Sequence, residues 1–221
     1  MKKYVAAFAA ALLFLLASCE SETNFTEDVV VNEPDIPELP PSDETIAIED
    51  LFEPKDSIVY LYGEPHPIRL YPFGEIVKDE TEGRASFAIF VENYPGYRVE
   101  QHDNLLRLTP NFDPPTDSPP MFMEITQIAD ITADEAEYKI KSEINFDLYE
   151  LFHRYATQDF PFNSIHLYEK ELSRNAKVIN IYIRDNGRGG VFVITVQHSE
   201  EAHLVGTRFR HYISTLEIID K

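Results

Sequence analysis

The sequence predicts an α+β domain in which helices flank an antiparallel sheet. Three features predict it. Several segments alternate apolar and polar residues at period two, the spacing of a half-buried strand. Turn-forming clusters of Asn, Gly and Pro separate those segments at hairpin distances. Two other segments carry their apolar residues at three- and four-residue steps, which makes an amphipathic helix rather than a strand. Strands joined mainly by hairpins, with helices interspersed, build an antiparallel sheet with helical cover.

Before the domain come two segments of different character. Lys2 and Lys3 are followed by Val5 to Ala17, an uncharged run rich in Ala, Leu and Phe. A membrane-spanning helix needs about 20 apolar residues. A basic start, a shorter apolar run and small residues before a cut describe a secretory signal peptide, here residues 1–18. Leu16-Ala17-Ser18-Cys19 resembles a bacterial lipobox, and Cys19 is the only cysteine in the chain. The resemblance implies a diacylglyceryl group on the Cys19 thiol and cleavage before it. Each buried methylene contributes about 0.8 kcal/mol and one chain holds only marginally, so two or three chains make a durable tether. With its one cysteine committed to lipid, the domain has no disulfide and must be held by its core.

Residues 19–57 read as an acidic, Pro-containing tether. Between Glu20 and Ser57 stand thirteen Asp or Glu against the single Lys55, with prolines recurring in "NEPDIPELPPSDE". Such a segment buries too little apolar surface to offset chain entropy. Thirty-eight flexible residues average roughly 35 Å end to end, and charge and Pro lengthen that. Asn24-Phe25-Thr26 fits a glycosylation sequon and reads here as coincidence.

Residues 58–83 read as an N-terminal extension of the body, and 84–221 as the domain proper. The extension is dense in Tyr60, Tyr62, Tyr71 and Phe73, with Tyr94 and Tyr97 beyond it, among Pro65, Pro67, Pro72 and Pro95. These rings make either a binding face or the core of the segment ahead of the main sheet; the core is the expectation. In "RASFAIFVENYPGYRVEQ", Phe87, Ile89 and Val91 share a strand face, and Tyr94-Pro95-Gly96 breaks the run. "NLLRLTP" is a short strand, "NFDPPTDSPP" a loop and "MFMEITQI" another strand. "DITADEAEYKIKSEIN" is a helix: Thr132 and Glu135 have capping-box spacing, and Ala133, Ala136, Ile140 and Ile144 form one stripe. Leu148, Leu151, Phe152 and Tyr155 extend a second helical piece. "SIHLYEKEL", "KVINIYI" and "VFVITVQ" are strands. Between the last two, Asp185 to Gly190 has the look of a phosphate cradle. It opens into β-branched residues rather than a helix, so a hairpin turn with glycines at positive φ is expected. A final helix is expected from a Ser199 cap, with Glu200 and Glu201 in its first turn and Arg208, Arg210 and His211 toward its end. Its stripe is Ala202, Val205, Phe209, Ile213 and Leu216, and "LEII" closes the chain as a strand.

From about Arg84 to Asp220 the pattern resembles the PsbP-like fold. The residues that carry the likeness are "FAIFVENYPGYRV", "FMEITQ" and "DNGRGGVFVITVQHSEEAHLVGTRFRHYISTLEI". The closing phrase of that family is matched by Phe209, Ile213, Thr215, Leu216 and Ile218. The chain also looks like small lipoproteins of Gram-positive bacteria. The resemblance implies an accessory, assembly or binding protein and brings no catalytic residues with it.

The chemistry-bearing residues form no known motif. The histidines are His66, His102, His153, His166, His198, His203 and His211, and no two have the HExxH spacing of a zinc site. His198 and His203 flank the start of the last helix, where a surface or capping role is expected. A calcium loop and a G-x-S-x-G elbow are absent. No cofactor or metal is expected, and Cys19 is the one site residue, for lipidation. The net charge of −20 repels nucleic acid and leaves a cationic partner possible. The expectation is an extracytoplasmic protein anchored to the membrane through Cys19, acting without catalysis as a binding or assembly module. A hydrolase of wall material, suggested by location and abundant acids, and an envelope sensor of a cation or cationic peptide are the alternatives.

Overall fold

The computed structural model describes residues 47–77, 83–92, 96–102, 105–112, 118–158, 160–170 and 175–219. The chain divides into two compact units, Met1–Asp43 and Glu44–Lys221, and every described residue belongs to the second. The expected signal peptide, Cys19, most of the expected tether and Tyr94 lie outside the described residues.

The second unit holds two antiparallel sheets. The small sheet contains β1 (Lys55–Leu61), β2 (Glu64–Glu75), β3 (Phe87–Val91) and β11 (Glu217–Ile218), in the order β1-β2-β3-β11. The large sheet runs β4 (Tyr97–His102), β5 (Leu105–Pro110), β6 (Phe122–Ala129), β10 (Gly190–Ser199), β9 (Lys177–Asp185), β8 (Asn163–Glu169) and β7 (Tyr149–Arg154). Among the described residues three helices complete it: α1 (Ile48–Leu51), α2 (Ala133–Glu143) and α3 (His203–Ile213).

The body therefore begins earlier than position 58. Ile48 is buried in the core and β1 starts at Lys55, so the acidic composition of this stretch hides its apolar anchors. Residues 58–83 are not an appendage either, because β2 pairs directly with β3 from Tyr71↔Val91 to Glu75↔Phe87. The expected aromatic core is only partly there. Tyr97 is buried, stacking on Phe209 and Tyr212, and Phe73 is half-buried. Tyr60, Tyr62 and Tyr71 are exposed, because β1 and β2 bury the alternate residues Val59, Leu61, Ile68 and Leu70 instead.

On the large sheet, period two sorts the side chains cleanly. One face carries Leu106, Leu108, Met123, Ile125, Phe192, Ile194 and Val196, which join Phe87, Phe209 and Tyr212 in the main core. The small sheet and α3 cover this face over β4, β5, β6 and β10, with Phe87 edge-on to Phe192. The opposite face carries Ile165, Leu167, Ile183 and Val191, which pack against Ala136, Ile140 and Ile144 around α2. That helix starts as its sequence requires: Thr132 Oγ1 accepts from Glu135 N, and Thr132 N donates to Glu135 Oε2 at 3.0 Å. These Thr132 hydrogen bonds hold the Glu135 carboxyl below the usual carboxylate range.

Two expected helical features are absent. Residues 148–155 do not extend a helix: Tyr149–Arg154 is β7, paired with β8 from Tyr149↔Glu169 to Arg154↔Ser164. Leu151 and Phe152 would share a helical stripe, but on the strand they part, Leu151 toward the α2 cluster and Phe152 outward. The free edge of β8 offers six ladder pairs, and that gain overrides the local spacing. Ser199 likewise does not cap α3. It is the last residue of β10, paired with Lys177, and α3 begins four residues later behind Ala202, without acids in its first turn. Only the basic end of the charge pattern survives, as Arg210 and His211.

The Asp185–Gly190 segment is the expected hairpin turn, with Gly187 and Gly189 at φ of 74° and 83°. Its Asn186 is fully buried and works on two sides. Asn186 Oδ1 accepts from Arg188 N and Gly190 N at 2.9 and 3.0 Å, closing the turn. Asn186 Nδ2 donates to Gly83 O at 2.8 Å and to Gln127 Oε1 at 3.1 Å. Gln127 in turn holds both backbone groups of Ala85 at 2.9 Å, just ahead of β3. This amide pair is a joint between the two sheets. Asn186→Ala orphans several buried groups at once and is expected to cost about 2–4 kcal/mol, read as a lowered urea midpoint with an unchanged slope.

Candidate functional site

The large sheet is wider than its cover. Beyond β10, on the main-core face, strands β9, β8 and β7 run out from under α3, and an open groove of about 690 Å³ lies over them. Glu150, Phe152 and Arg154 of β7, His166, Tyr168 and Glu169 of β8, Lys177 and Val178 of β9 and Glu200 beyond β10 are in its lining, and the strand register sets the face around it. Val178, Asn180 and Tyr182 of β9 stand beside Tyr168, His166 and Ser164 of β8, which stand beside Glu150, Phe152 and Arg154 of β7. The face thus changes from aliphatic to polar and aromatic as it leaves the cover. Phe152 and Tyr168 meet edge-on at 5.6 Å and are 48% and 41% exposed, an aromatic pair open to solvent.

Beneath them runs a one-way chain of hydrogen bonds. His198 Nδ1 donates to Ser199 O at 2.7 Å, and since a carbonyl only accepts, the proton of His198 is on Nδ1. His198 Nε2 then accepts from Asn180 Nδ2 at 3.4 Å. This orients the amide so that Asn180 Oδ1 accepts from His166 Nδ1 at 2.5 Å. His166 Nε2 is left to accept from Ser164 Oγ at 3.0 Å. Each tautomer is dictated by the next, back to one backbone carbonyl. Burial pushes both imidazoles below the ordinary histidine value; the Asn180 bond opposes this at His166, while Arg154 and Arg210 reinforce it. Both rings are neutral at neutral pH.

His198 is therefore a buried strand residue (6% exposed), not a surface or capping one. Helix α3 crosses directly over it at Gly206, where a Cβ would lie 2.5 Å from His198 Nε2. That close approach explains a glycine in mid-helix, which otherwise costs about 1 kcal/mol. The other histidines are dispersed. His153 lies 3.0 Å from Glu137, His211 shares a hydrogen bond with Ser57 Oγ at 3.0 Å, and His203 meets the Tyr62 ring. Among the described residues no three His, Cys, Asp or Glu gather in a way that could hold a metal ion. No described helix is long and apolar enough to cross a membrane.

Ser164, His166, Asn180, Arg154 and Arg210 form no sequence motif. Their one signal is phase: in "SIHLYEKEL" and "KVINIYI", Ser164, His166 and Asn180 fall on a strand face whose neighbours on β10 are Phe192, Ile194 and Val196, with His198 at the end. Compared with known proteins, the chain matches no family model and no curated sequence.

The neutral histidines make stability depend on pH. A group whose folded pKa lies below its unfolded value binds fewer protons when folded, so its contribution is present above about pH 6.5 and is lost as pH falls. Urea unfolding between pH 8 and 5 should show stability declining below pH 6.5, by up to about 1.4 kcal/mol per pH unit from His198 and less from the more solvated His166. His198→Gln should flatten that decline. Gly206→Ala, which drives a methyl into the ring, should destabilise the protein by about 1–3 kcal/mol at every pH.

Proposed function

We propose that this chain is an extracytoplasmic lipoprotein, anchored by lipid on Cys19, whose body binds a partner or ligand in the groove over β7, β8 and β9 without catalysing a reaction. The observation that carries the binding reading is the groove itself. Its aromatic pair is exposed while the polar groups beneath are locked into one hydrogen-bond pattern, and preorganised contacts of this kind lower the entropic cost of binding. The anchor and its acidic spacer rest on the residue pattern around Cys19. A PsbP-like relationship has some support in the closing order of hairpin, helix and short strand, β9-β10-α3-β11.

A hydrolase reading is favoured by one observation, the line Ser164–His166–Asn180, in which a hydroxyl faces an imidazole backed by an amide. The electrostatics oppose it. A general base must become imidazolium in the transition state, and a carboxylate normally stabilises that charge. Here the third group is neutral, and burial together with Arg154 and Arg210 disfavours protonation. Ser164 is moreover 3% exposed. The arrangement suits recognition better than proton transfer.

Two measurements test the proposal. Mass spectrometry of the native product should find a lipid-modified Cys19 at its N-terminus, and an unmodified thiol would overturn the anchoring. A photo-crosslinking residue at Phe152 should yield an adduct of discrete mass in cells, whereas one at Tyr138, exposed on α2, should not. Equal labelling at both positions, or at neither, would overturn the groove as the binding site.

A further inference from the structure

At its inner end, where Arg210 of α3 overlooks β8 and β9, the groove adjoins a smaller pocket of about 250 Å³. Its wall brings together Arg154, Arg210, Tyr182, Ser164 and His166. Most of the described arginines pair with a carboxylate; these two, and Arg184 over the Phe162 ring, do not. Arg69, Arg84, Arg98, Arg107 and Arg208 each hold a carboxylate. Arg154 and Arg210 hold none among the described residues, although the net charge is −20. Arg210 is instead set 5.0 Å over the Phe160 ring, a cation–π contact that fixes its plane and leaves its N–H edges unused.

Tyr182 supplies a second, independent sign. The residue is 4% exposed, its ring wedged between Phe160 and His166, yet its hydroxyl hydrogen-bonds no described residue. The hydroxyl is not among the buried side-chain atoms that lack a partner, so it opens onto the pocket rather than being sealed in the core. Burial pushes Tyr182 up to about 12, so it stays a neutral donor. Ser164 already spends its proton on His166, and His166 Nε2 is occupied in accepting it. The groups left to act are two guanidiniums, which only donate, and the hydroxyls of Tyr155, Thr157 and Tyr182, which can turn to donate, with no carboxylate among the pocket's lining residues to compete. A pocket that carries positive charge and can present donors without a competing carboxylate is complementary to an oxyanion.

We propose that this pocket binds the oxyanion head, a carboxylate or phosphate monoester, of a small ring-bearing organic ligand whose body lies along the adjoining groove against Phe152 and Tyr168. The two cavities share Arg154 and His166, so one ligand can span both. This assignment rests on the groove being the binding site. It runs against the cationic ligand that overall charge suggests, because the local field of two unpaired arginines outweighs a diffuse surface charge that salt screens.

Calorimetry on the full chain at low salt tests it, with phenyl phosphate and benzoate as probes, inorganic phosphate as the head alone, and benzyl alcohol as the neutral control. The anionic ring probes should bind and benzyl alcohol should not; the stronger of phenyl phosphate and benzoate identifies the head group. Arg154→Gln and Arg210→Gln should each weaken binding about tenfold to a hundredfold, and both side chains are exposed, so thermal melting should not change. Tyr182→Phe should weaken it less. Phe152→Ala should weaken phenyl phosphate but leave inorganic phosphate unchanged. No heat from any anion, binding of the alcohol as strongly as the acids, or an affinity indifferent to both arginine substitutions would overturn the inference. If the crosslink at position 152 forms in cells and survives the arginine substitutions, the oxyanion assignment fails while the groove stands. If the anions bind but position 152 captures nothing, the in-cell reading fails while the pocket stands.

Discussion

A sheet of seven strands cannot be roofed by a four-stranded sheet and one eleven-residue helix. Everything distinctive about this protein follows from that mismatch. Where the small sheet and α3 lie on the large one, the face is made of Leu, Met, Ile, Phe and Val, and burial of those side chains supplies the main core. Where the cover stops, the same sheet continues through β9, β8 and β7 in unbroken register, but the face becomes polar and aromatic. The opposite side of these outer strands is closed by α2 on a second, smaller cluster. The overhang is thus supported from behind and open in front, a sound base for a binding surface.

The polar residues at the margin are not loosely solvated. Asn180 links His166 and His198 and carries the tautomer fixed at His198 by the Ser199 carbonyl on to His166, while Gly206 lets α3 lie directly on the inner ring. Such a network is costly if half satisfied and rigid when complete. On the other side of the sheet joint, Asn186 and Gln127 use two side-chain amides to fasten the segment ahead of β3 to the large sheet. Buried amides serve both jobs because each offers donors and an acceptor without a charge to desolvate.

Electrostatics within the smaller pocket differ from those of the chain as a whole. The acids that make the protein strongly negative are spread along the sequence, Glu150, Glu169 and Glu200 of the groove's lining among them, whereas Arg154 and Arg210 converge on Tyr182 and His166. Contact-range chemistry decides which small ligand is held, and net charge decides only what is repelled at a distance. A carboxyl-poor pocket inside an acidic protein is selective for a ligand that the rest of the surface disfavours.

Several elements were legible in the residues alone. The capping box at Thr132 and Glu135, the α2 stripe, the hairpin at Asp185–Gly190 and most strands follow from local geometry: spacing of 3.6 or 2, and glycines where φ must be positive. Local spacing failed where neighbours intervened. Residues 149–154 fit a helical stripe but completed an open edge, and Ser199 suits a cap but was claimed by the ladder to Lys177. The candidate site was not legible, because Arg154, Ser164, His166, Asn180, Tyr182 and Arg210 come from four elements that meet only through strand order. Period two tells which side chains share a face of a strand. Which strands become neighbours, and which part of the face is left uncovered, depends on long-range packing, and only the tertiary structure decides it.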